Sequence, residues 1–324
     1  MQAIVLTGFN GVESLRVAEV DEPRPEAGEV LIKVRAAGIN YAELEQTLGR
    51  YPFQRPLPGI MGFEAAGEVV ELGEGVSGLS IGDRVVAPVS SGGYAEYATA
   101  SAELALPIPE GITFAQATSI VIQGVSAYAL LWLTARPKPH ETVLIQAAAG
   151  GVGLYLVQLA KVMPVGRIIA LASSAEKLEL VRALGADAAI DYSAEGWPER
   201  VLQETRGRGV DVVLEMASGD VGKASFGLLA PFGRFVMYGA KNVQDTFTAA
   251  QVRQLIHNNQ SIVGFNVPTI ERKDVARCVP QLLGLIAQGK IRIFADTAFP
   301  LAEVKSAFDA LAGRGTIGKV VLVP

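Results

Sequence analysis

Cysteine is nearly absent: Cys278 is the only one in 324 residues. This excludes an intrachain disulfide and any thiolate-rich metal site, and it leads to the expectation of an intracellular, cytoplasmic protein. Histidine is almost as scarce, with His140 and His257 alone. An excess of positive charge is also missing. The 28 Lys and Arg against 33 Asp and Glu leave a net charge of −5, so neither nucleic acid nor an anionic membrane is an expected partner. The opening MQAIVLTGFNG lacks a basic segment followed by an apolar run and a small-residue cleavage site, so no secretory signal is expected. The longest uncharged stretch, residues 111–135, has the length of a membrane span of ~20 residues. Gln116, Thr118, Ser119, Gln123, Gly124 and Ser126 interrupt it, and two buried helices are predicted there instead.

What the chain does have is glycine, 35 residues in all, together with 50% hydrophobic residues. That glycine content exceeds the usual ~7% and forecasts many tight turns and close backbone approaches. The length suits about two domains. Up to about residue 122, short strand-like runs such as EVLIKVRAAGIN, AAGEVVELG and DRVVAPV alternate with Gly, Pro and Asp turns, which predicts a compact β domain. From about Thr142 the texture changes to apolar strand, turn and helix, repeated. TVLIQAAA precedes GGVGLYLVQLAKVM, RIIALASS precedes AEKLELVRALGA, DAAIDYS precedes WPERVLQETRG, and VDVVLEMAS precedes a predicted helix over KASFGLLAPF, before the strand RFVMYGA. Such alternation predicts βαβ units, a parallel sheet covered on both faces, and a doubly wound Rossmann-type fold.

The stretch QAAAGGVGLYLVQLAK sits where a nucleotide-binding turn belongs, after the first of these strands. Read as G-x-G-x-x-G, it has Gly150 and Gly153 in place but Ala148 where the first glycine is expected. Backbone N–H groups and the positive end of a helix would face a pyrophosphate there. Gly150 permits close approach of the backbone, Gly153 close packing of helix on strand, and Ala148 is costly only if its φ is positive. The second strand decides which nucleotide fits. RIIALASSAEK ends without the acid that would bond a ribose 2′-hydroxyl; it offers Ser173, Ser174 and Lys177. Hydroxyls and an ammonium suit a 2′-phosphate, so NADPH is the expected cofactor. The competing possibility is that either serine only caps the helix and Lys177 is a solvated surface lysine.

At this point a resemblance spans essentially the whole chain. AGIN (37–40), GRYP (49–52), PGIMGFEAAGEVVELGEGV (58–76), GDRV (82–85), GGYAEY (92–97), AAAGGVG and the terminal TIGKVVLVP resemble the zinc-independent, zeta-crystallin-like quinone oxidoreductases of the medium-chain dehydrogenase/reductase superfamily. The resemblance implies an α/β chain with a GroES-like, β-rich catalytic domain over residues 1–123 and 266–324 and an inserted Rossmann doubly wound parallel-sheet domain over 124–265. It also makes Ala148 unremarkable, since many similar sequences carry an alanine before the GGVG turn of Gly150, Gly151, Val152 and Gly153.

Zinc-dependent relatives place a cysteine after the turn equivalent to AGIN and a histidine in GHE; these positions here hold Asn40 and Phe63, which implies no metal site. His140 and His257 lie far from these motifs. Without a Lewis acid to stabilise an alkoxide, the acceptors implied for hydride are quinones and small α,β-unsaturated carbonyls, which delocalise the incoming charge. The resemblance further implies Asn40 as an orienting residue and Tyr51 as a cofactor contact or proton donor, the alternative for Tyr51 being an aromatic packed beside Pro52. Glu64 reads as a structural carboxylate. The implied cofactor contacts are Gln123, Tyr192, Gly239, Ala240, Phe265, Asn266 and Lys319, the last with a surface-lysine alternative. Pairing of SIVGF (261–265) edge strands implies a homodimer. An enoyl-thioester reductase and an NADPH-binding protein with a structural or nucleic-acid role are the competing functions.

Overall fold

The Gly- and Pro-punctuated runs of the amino-terminal part become strands whose alternate side chains enter a common core. The structure, a computed structural model, describes residues 1–89, 91–239 and 248–324. In chain order come β1 (Gln2–Leu6), β2 (Leu15–Glu19), β3 (Glu29–Ile39), α1 (Tyr41–Thr47), β4 (Gly59–Ile60), β5 (Glu64–Leu72), β6 (Arg84–Pro88), β7 (Tyr97–Ser101), β8 (Leu106–Pro107) and α2 (Phe114–Ser119). The repeating part follows as α3 (Val125–Ala129), β9 (Thr142–Ile145), α4 (Gly151–Val162), β10 (Arg167–Ala172), α5 (Ala175–Ala183), β11 (Ala188–Asp191), α6 (Trp197–Glu204), β12 (Val210–Glu215), α7 (Gly219–Gly227), β13 (Leu229–Met237), α8 (Ala249–Asn258), β14 (Ser261–Gly264) and α9 (Arg272–Ala287). The chain ends in β15 (Thr297–Pro300), α10 (Val304–Ala312) and β16 (Val320–Val323).

These elements form two units, Met1–Ile122 with Ile293–Pro324, and Gln123–Arg292. In the first, a sheet ordered β15-β16-β3-β5-β6-β8 also pairs β7 with β3, and a small sheet is ordered β2-β1-β4. β16 lies antiparallel to β3, with Val320 opposite Ile39 and Leu322 opposite Ala37. The carboxyl-terminal strand therefore delivers its flanking residues next to the end of β3. Ile4, Ile32, Ile39, Val69, Tyr94, Phe308 and Leu322 belong to the core of this unit.

The second unit is the parallel sheet β11-β10-β9-β12-β13-β14. Numbered from β9 this is the 3-2-1-4-5-6 order of the doubly wound fold, whose switch point lies between the first and fourth strands. β12 is buried at every position, as a strand covered on both faces must be. Leu144, Leu171, Val213, Phe226 and Phe235 contribute to its core.

Three expectations are corrected. The uncharged stretch is not a pair of separate helices: α2, a π-helical segment Ile120–Gly124, α3 and a second π-helical segment Leu130–Ala135 follow without a break. Its hydroxyls bond back into the helix instead of ending it, Thr118 to the Ala115 carbonyl (2.7 Å) and Ser119 to that of Gln116 (2.8 Å). This run is long and apolar enough to cross a membrane, and 72% of its most apolar window is buried inside the protein. The helix expected over KASFGLLAPF stops at Gly227, and Leu229 already pairs with Val210 in β13. The second unit reaches Arg292, not residue 265, because α9 packs on α3 with Leu282 against Gly124.

Candidate active site

The carboxyl ends of the parallel strands gather the residues expected to hold a nucleotide. After β9 the chain turns through Ala147 and enters α4 with Gly150 as its N-cap. The positive φ of this turn falls on Ala147 (45°), not on Ala148. Ala148 is buried, and its N–H donates to the Leu171 carbonyl of β10 at 3.0 Å. A Cβ on Gly153 would collide with the Ala147 carbonyl oxygen, so this glycine is demanded by helix-on-turn packing. A Cβ on Gly151 would overlap the side chain of Gln123, which therefore lies over the start of α4; Val152 is half-buried in the same first turn.

Gln146 was not singled out from the sequence, yet its side chain braces this edge. Its Oε1 accepts from the backbone N–H groups of Met216 (3.1 Å) and Ala217 (2.9 Å), and its Nε2 donates to Ser225 Oγ at 2.8 Å. The turns after β9 and β12, on either side of the switch point, are thus tied together. Gly239, after β13, packs against Met216, where a Cβ would come within 2.7 Å of the Met216 carbonyl oxygen. Phe265, after β14, donates its N–H to the Met237 carbonyl at 2.9 Å, and Asn266 follows it. Ala240 lies outside the described residues.

The end of β10 carries the residues expected from the sequence to choose the nucleotide. Ser174 is the N-cap of α5, accepting from the Lys177 N–H at 3.4 Å. A capping oxygen keeps its own O–H to donate, so capping and phosphate binding are compatible. Lys177 is not a solvated lysine; it is 9% exposed, and burial pushes its ammonium down, with Glu176 pulling it back up. Ala172 and Asp191 are paired in register at the ends of β10 and β11, so Ser173 and Tyr192 occupy adjacent strand ends.

In the other unit, a buried charged cluster surrounds Asn40. Asn40 caps α1 in a capping box, its backbone N–H donating to Glu43 Oε2 at 2.8 Å. Its side chain is fully engaged. Oδ1 accepts from Lys319 Nζ at 2.7 Å, and Nδ2 donates to Glu64 Oε1 at 3.0 Å and to Glu43 Oε2 at 3.3 Å. Lys319 also forms an ion pair with Glu64, and the side chains of both are wholly buried. Two assignments change as a result. Lys319 is neither a surface lysine nor placed to touch a cofactor directly, having no exposed surface. Asn40 has both amide hydrogens directed at carboxylates, so its role is first that of a hub.

Glu43 completes the cluster, with Oε1 accepting from the Phe63 N–H at 2.9 Å. Burial raises its carboxyl to about 7, against the pull of Lys319, Tyr94 and the Asn40 N–H and with a push from Glu64. Burial likewise raises Glu64, opposed by the ammonium of Lys319. Glu43 and Tyr94 were invisible in the sequence because each reads as an ordinary helix acid or core aromatic. Tyr51 packs edge-on to Phe53 and tilted against Phe63, with both ring centroids 5.9 Å away, so its neighbours are these rings and not Pro52 alone. Burial and the negative charge of Glu43 raise its phenol. Arg55 lies over the Phe63 ring at 5.9 Å and donates to the Gly62 carbonyl at 3.1 Å.

Comparison with known proteins agrees with this geometry. Residues 26–110 match the alcohol dehydrogenase GroES-like domain, and residues 151–287 match the zinc-binding dehydrogenase family. The chain is 35% identical to a quinone oxidoreductase of Pseudomonas aeruginosa, over 99% of each protein. It is 32% identical to the synaptic vesicle membrane protein VAT-1 homolog of Rattus norvegicus, over 100% of this chain and 84% of that one. Among solved structures, a mycobacterial protein complexed with NADPH superposes with a TM-score of 0.92 at 33% identity over the whole of both chains. The Escherichia coli quinone oxidoreductase complexed with NADPH does so with a TM-score of 0.91 at 30% identity, also over both whole chains. With a strand order, a nucleotide-type turn and a full-length match that all agree, the chain belongs to the quinone oxidoreductase family of the medium-chain dehydrogenase/reductase superfamily.

Proposed function

We propose that this chain is an NADPH-dependent, zinc-independent oxidoreductase that transfers hydride to quinones or small α,β-unsaturated carbonyls. The observation that carries the cofactor half is the end of β10: two serine hydroxyls and a lysine only 9% exposed, with no carboxylate closing the strand. A 2′-phosphate pairs with that cation through charge-assisted hydrogen bonds, which a 2′-hydroxyl cannot match. The NADPH complexes of the mycobacterial and E. coli relatives support the same choice. Gly151, Val152 and Gly153 present the backbone N–H groups of the first turn to the pyrophosphate, and Gly150, whose own N–H donates to the Ala147 carbonyl at 2.9 Å, lets the backbone approach it closely. Ser173, Ser174 and Lys177 take the 2′-phosphate and Tyr192 the adenosine, with Gln123, Gly239, Phe265 and Asn266 as further contacts.

The donor set does not fit a catalytic zinc. Phe63 has no ligating atom, and the side-chain oxygen of Asn40 already accepts from the Lys319 ammonium, whose charge would repel a metal ion. These residues therefore offer no metal-bound Lewis acid, and the acceptor delocalises the incoming charge on its own. When bound, NADPH would supply the hydride. Tyr51, whose phenol stays protonated at neutral pH, donates a hydrogen bond to the oxygen on which charge develops. Asn40 orients the reacting groups, and Lys319 acts through Asn40.

The test is oxidation of NADPH and NADH followed by absorbance against quinones, 2-alkenals, cyclic enones and enoyl-CoA thioesters. Turnover of quinones or enones with preference for NADPH is expected. Turnover of enoyl-CoA alone would overturn the substrate class, and tight NADPH binding without turnover would indicate a binding protein.

A further inference from the structure

The cluster around Asn40 holds two carboxylates against one ammonium, and Glu43, Glu64 and Lys319 have no exposed surface. Ionising both acids leaves these three wholly buried groups with a net negative charge in a medium that solvates it poorly, the nearby Arg55 being only half-buried. Glu64 takes the direct contact with Lys319. Glu43 instead meets N–H donors, those of Asn40 and Phe63, and the hydroxyl of Tyr94. The charged and titratable groups facing it are Lys319 ahead of β16, Glu64 on β5, Tyr94 ahead of β7, and Tyr51 and Arg55 after α1.

We propose that Glu43 is a positioning residue whose charge controls Asn40: ionised, it holds the Asn40 carboxamide inward, and protonated, it releases one Nδ2–H to a carbonyl group of the bound substrate. The bond to be released is the longer of the two that Nδ2 makes, 3.3 Å to Glu43 against 3.0 Å to Glu64. Loss of the charge turns a charge-assisted hydrogen bond into a neutral one of roughly half the strength. The proton has a place to go. The bond between Glu43 and Tyr94 reverses, the acid donating to the phenol oxygen and the phenol donating to the Gly38 carbonyl 3.5 Å away. No other covalent change is needed. The carboxyl titrates at about 7, so the switch works near neutral pH.

The kinetic consequence rests on the reductase assignment. In wild type, kcat/KM for a quinone rises as pH falls through neutrality, by about tenfold between pH 8 and the acid plateau. Glu43→Gln, neutral at every pH, is expected to hold the high value with less than a twofold change. A variant profile parallel to wild type, or a wild-type profile that falls on acidification, overturns the proposal. A second measurement needs no turnover: the side-chain amide of Asn40 and the backbone amide of Phe63 are followed by NMR in 15N-labelled full-length protein as pH is varied. Both are expected to shift together near neutral pH in wild type, at higher pH in Tyr94→Phe, which removes a donor to the anion, and not at all in Glu43→Gln. If the amides do not titrate in wild type, the proposal fails whatever the turnover. If they titrate as expected but no quinone or enone is reduced, control of Asn40 is supported and the reductase assignment fails instead.

Discussion

Lys177 is where, in the proposed function, one side chain decides the nucleotide. The residue is only 9% exposed and its backbone N–H bonds the Ser174 cap, so in the proposed site removing its side chain leaves a 2′-phosphate facing hydroxyls alone. Lys177→Ala is expected to raise the Kd for NADPH by roughly tenfold or more, the size of one charge-assisted bond, and to leave NADH binding little changed. Fluorescence titration with both nucleotides measures this; equal weakening of the two would disprove contact with the 2′-phosphate. Ala147 offers a test of the turn itself. Its φ of 45° costs an L-residue roughly 1–2 kcal/mol, so Ala147→Gly is expected to be neutral or mildly stabilising and Ala147→Val destabilising, read by thermal melts. Gly153→Ala, by contrast, is expected to lose NADPH binding, because its Cβ collides with the Ala147 carbonyl. The sequence pointed to Ala148 as the suspect; only the backbone showed that the left-handed conformation sits one residue earlier.

At the scale of elements, β16 matters because antiparallel pairing with β3 sets Val320 opposite Ile39, so Lys319 and Asn40 adjoin across some 280 residues of chain. Gly38 leaves the room for this: a Cβ there would overlap the Lys319 side chain. Lys319→Met is expected to destabilise the fold by roughly 3–5 kcal/mol in chemical denaturation, since it strands Glu64 as a buried unpaired carboxylate. The double variant Lys319→Met, Glu64→Gln should recover much of that loss; no recovery would mean that the pair matters for shape and not charge. Helices and strands with clear periodicity, such as β10, α5 and β12, were legible in the sequence. The end of α7 was not, because LLAP is as apolar as a helix face and its commitment to β13 comes from pairing with Val210.

For the whole molecule, the raised carboxyl of Glu43 makes folding pH-dependent. Between pH 4.5 and about 7 the folded protein binds a proton that the unfolded chain does not, so stability is greatest below that window and declines as pH rises through it. The loss attributable to Glu43 is about 3 kcal/mol. Subtracting the pH–stability curve of Glu43→Gln, obtained from denaturant midpoints, should remove a decline of this size; curves that run parallel would contradict it. We also propose a homodimer through β14, the edge strand beside β13, whose Ile262 and Val263 are half-buried. Light scattering should give twice the mass of the chain, and Ile262→Lys should give the monomer.

The sequence by itself determined what depends on local pattern and residue type. The βαβ alternation, the glycine-bearing turn, the lack of an acid after β10 and the presence of Phe63 in place of a ligand all follow from which residues stand in which order. Tertiary structure alone decided the rest. That Lys319 is a buried clasp and not a surface or cofactor lysine, that Asn40 has both amide hydrogens engaged, and that Glu43 titrates near neutrality depend on residues distant in the chain sharing one dry volume. Burial and charge pairing are properties of that shared volume, and no spacing along the chain encodes them.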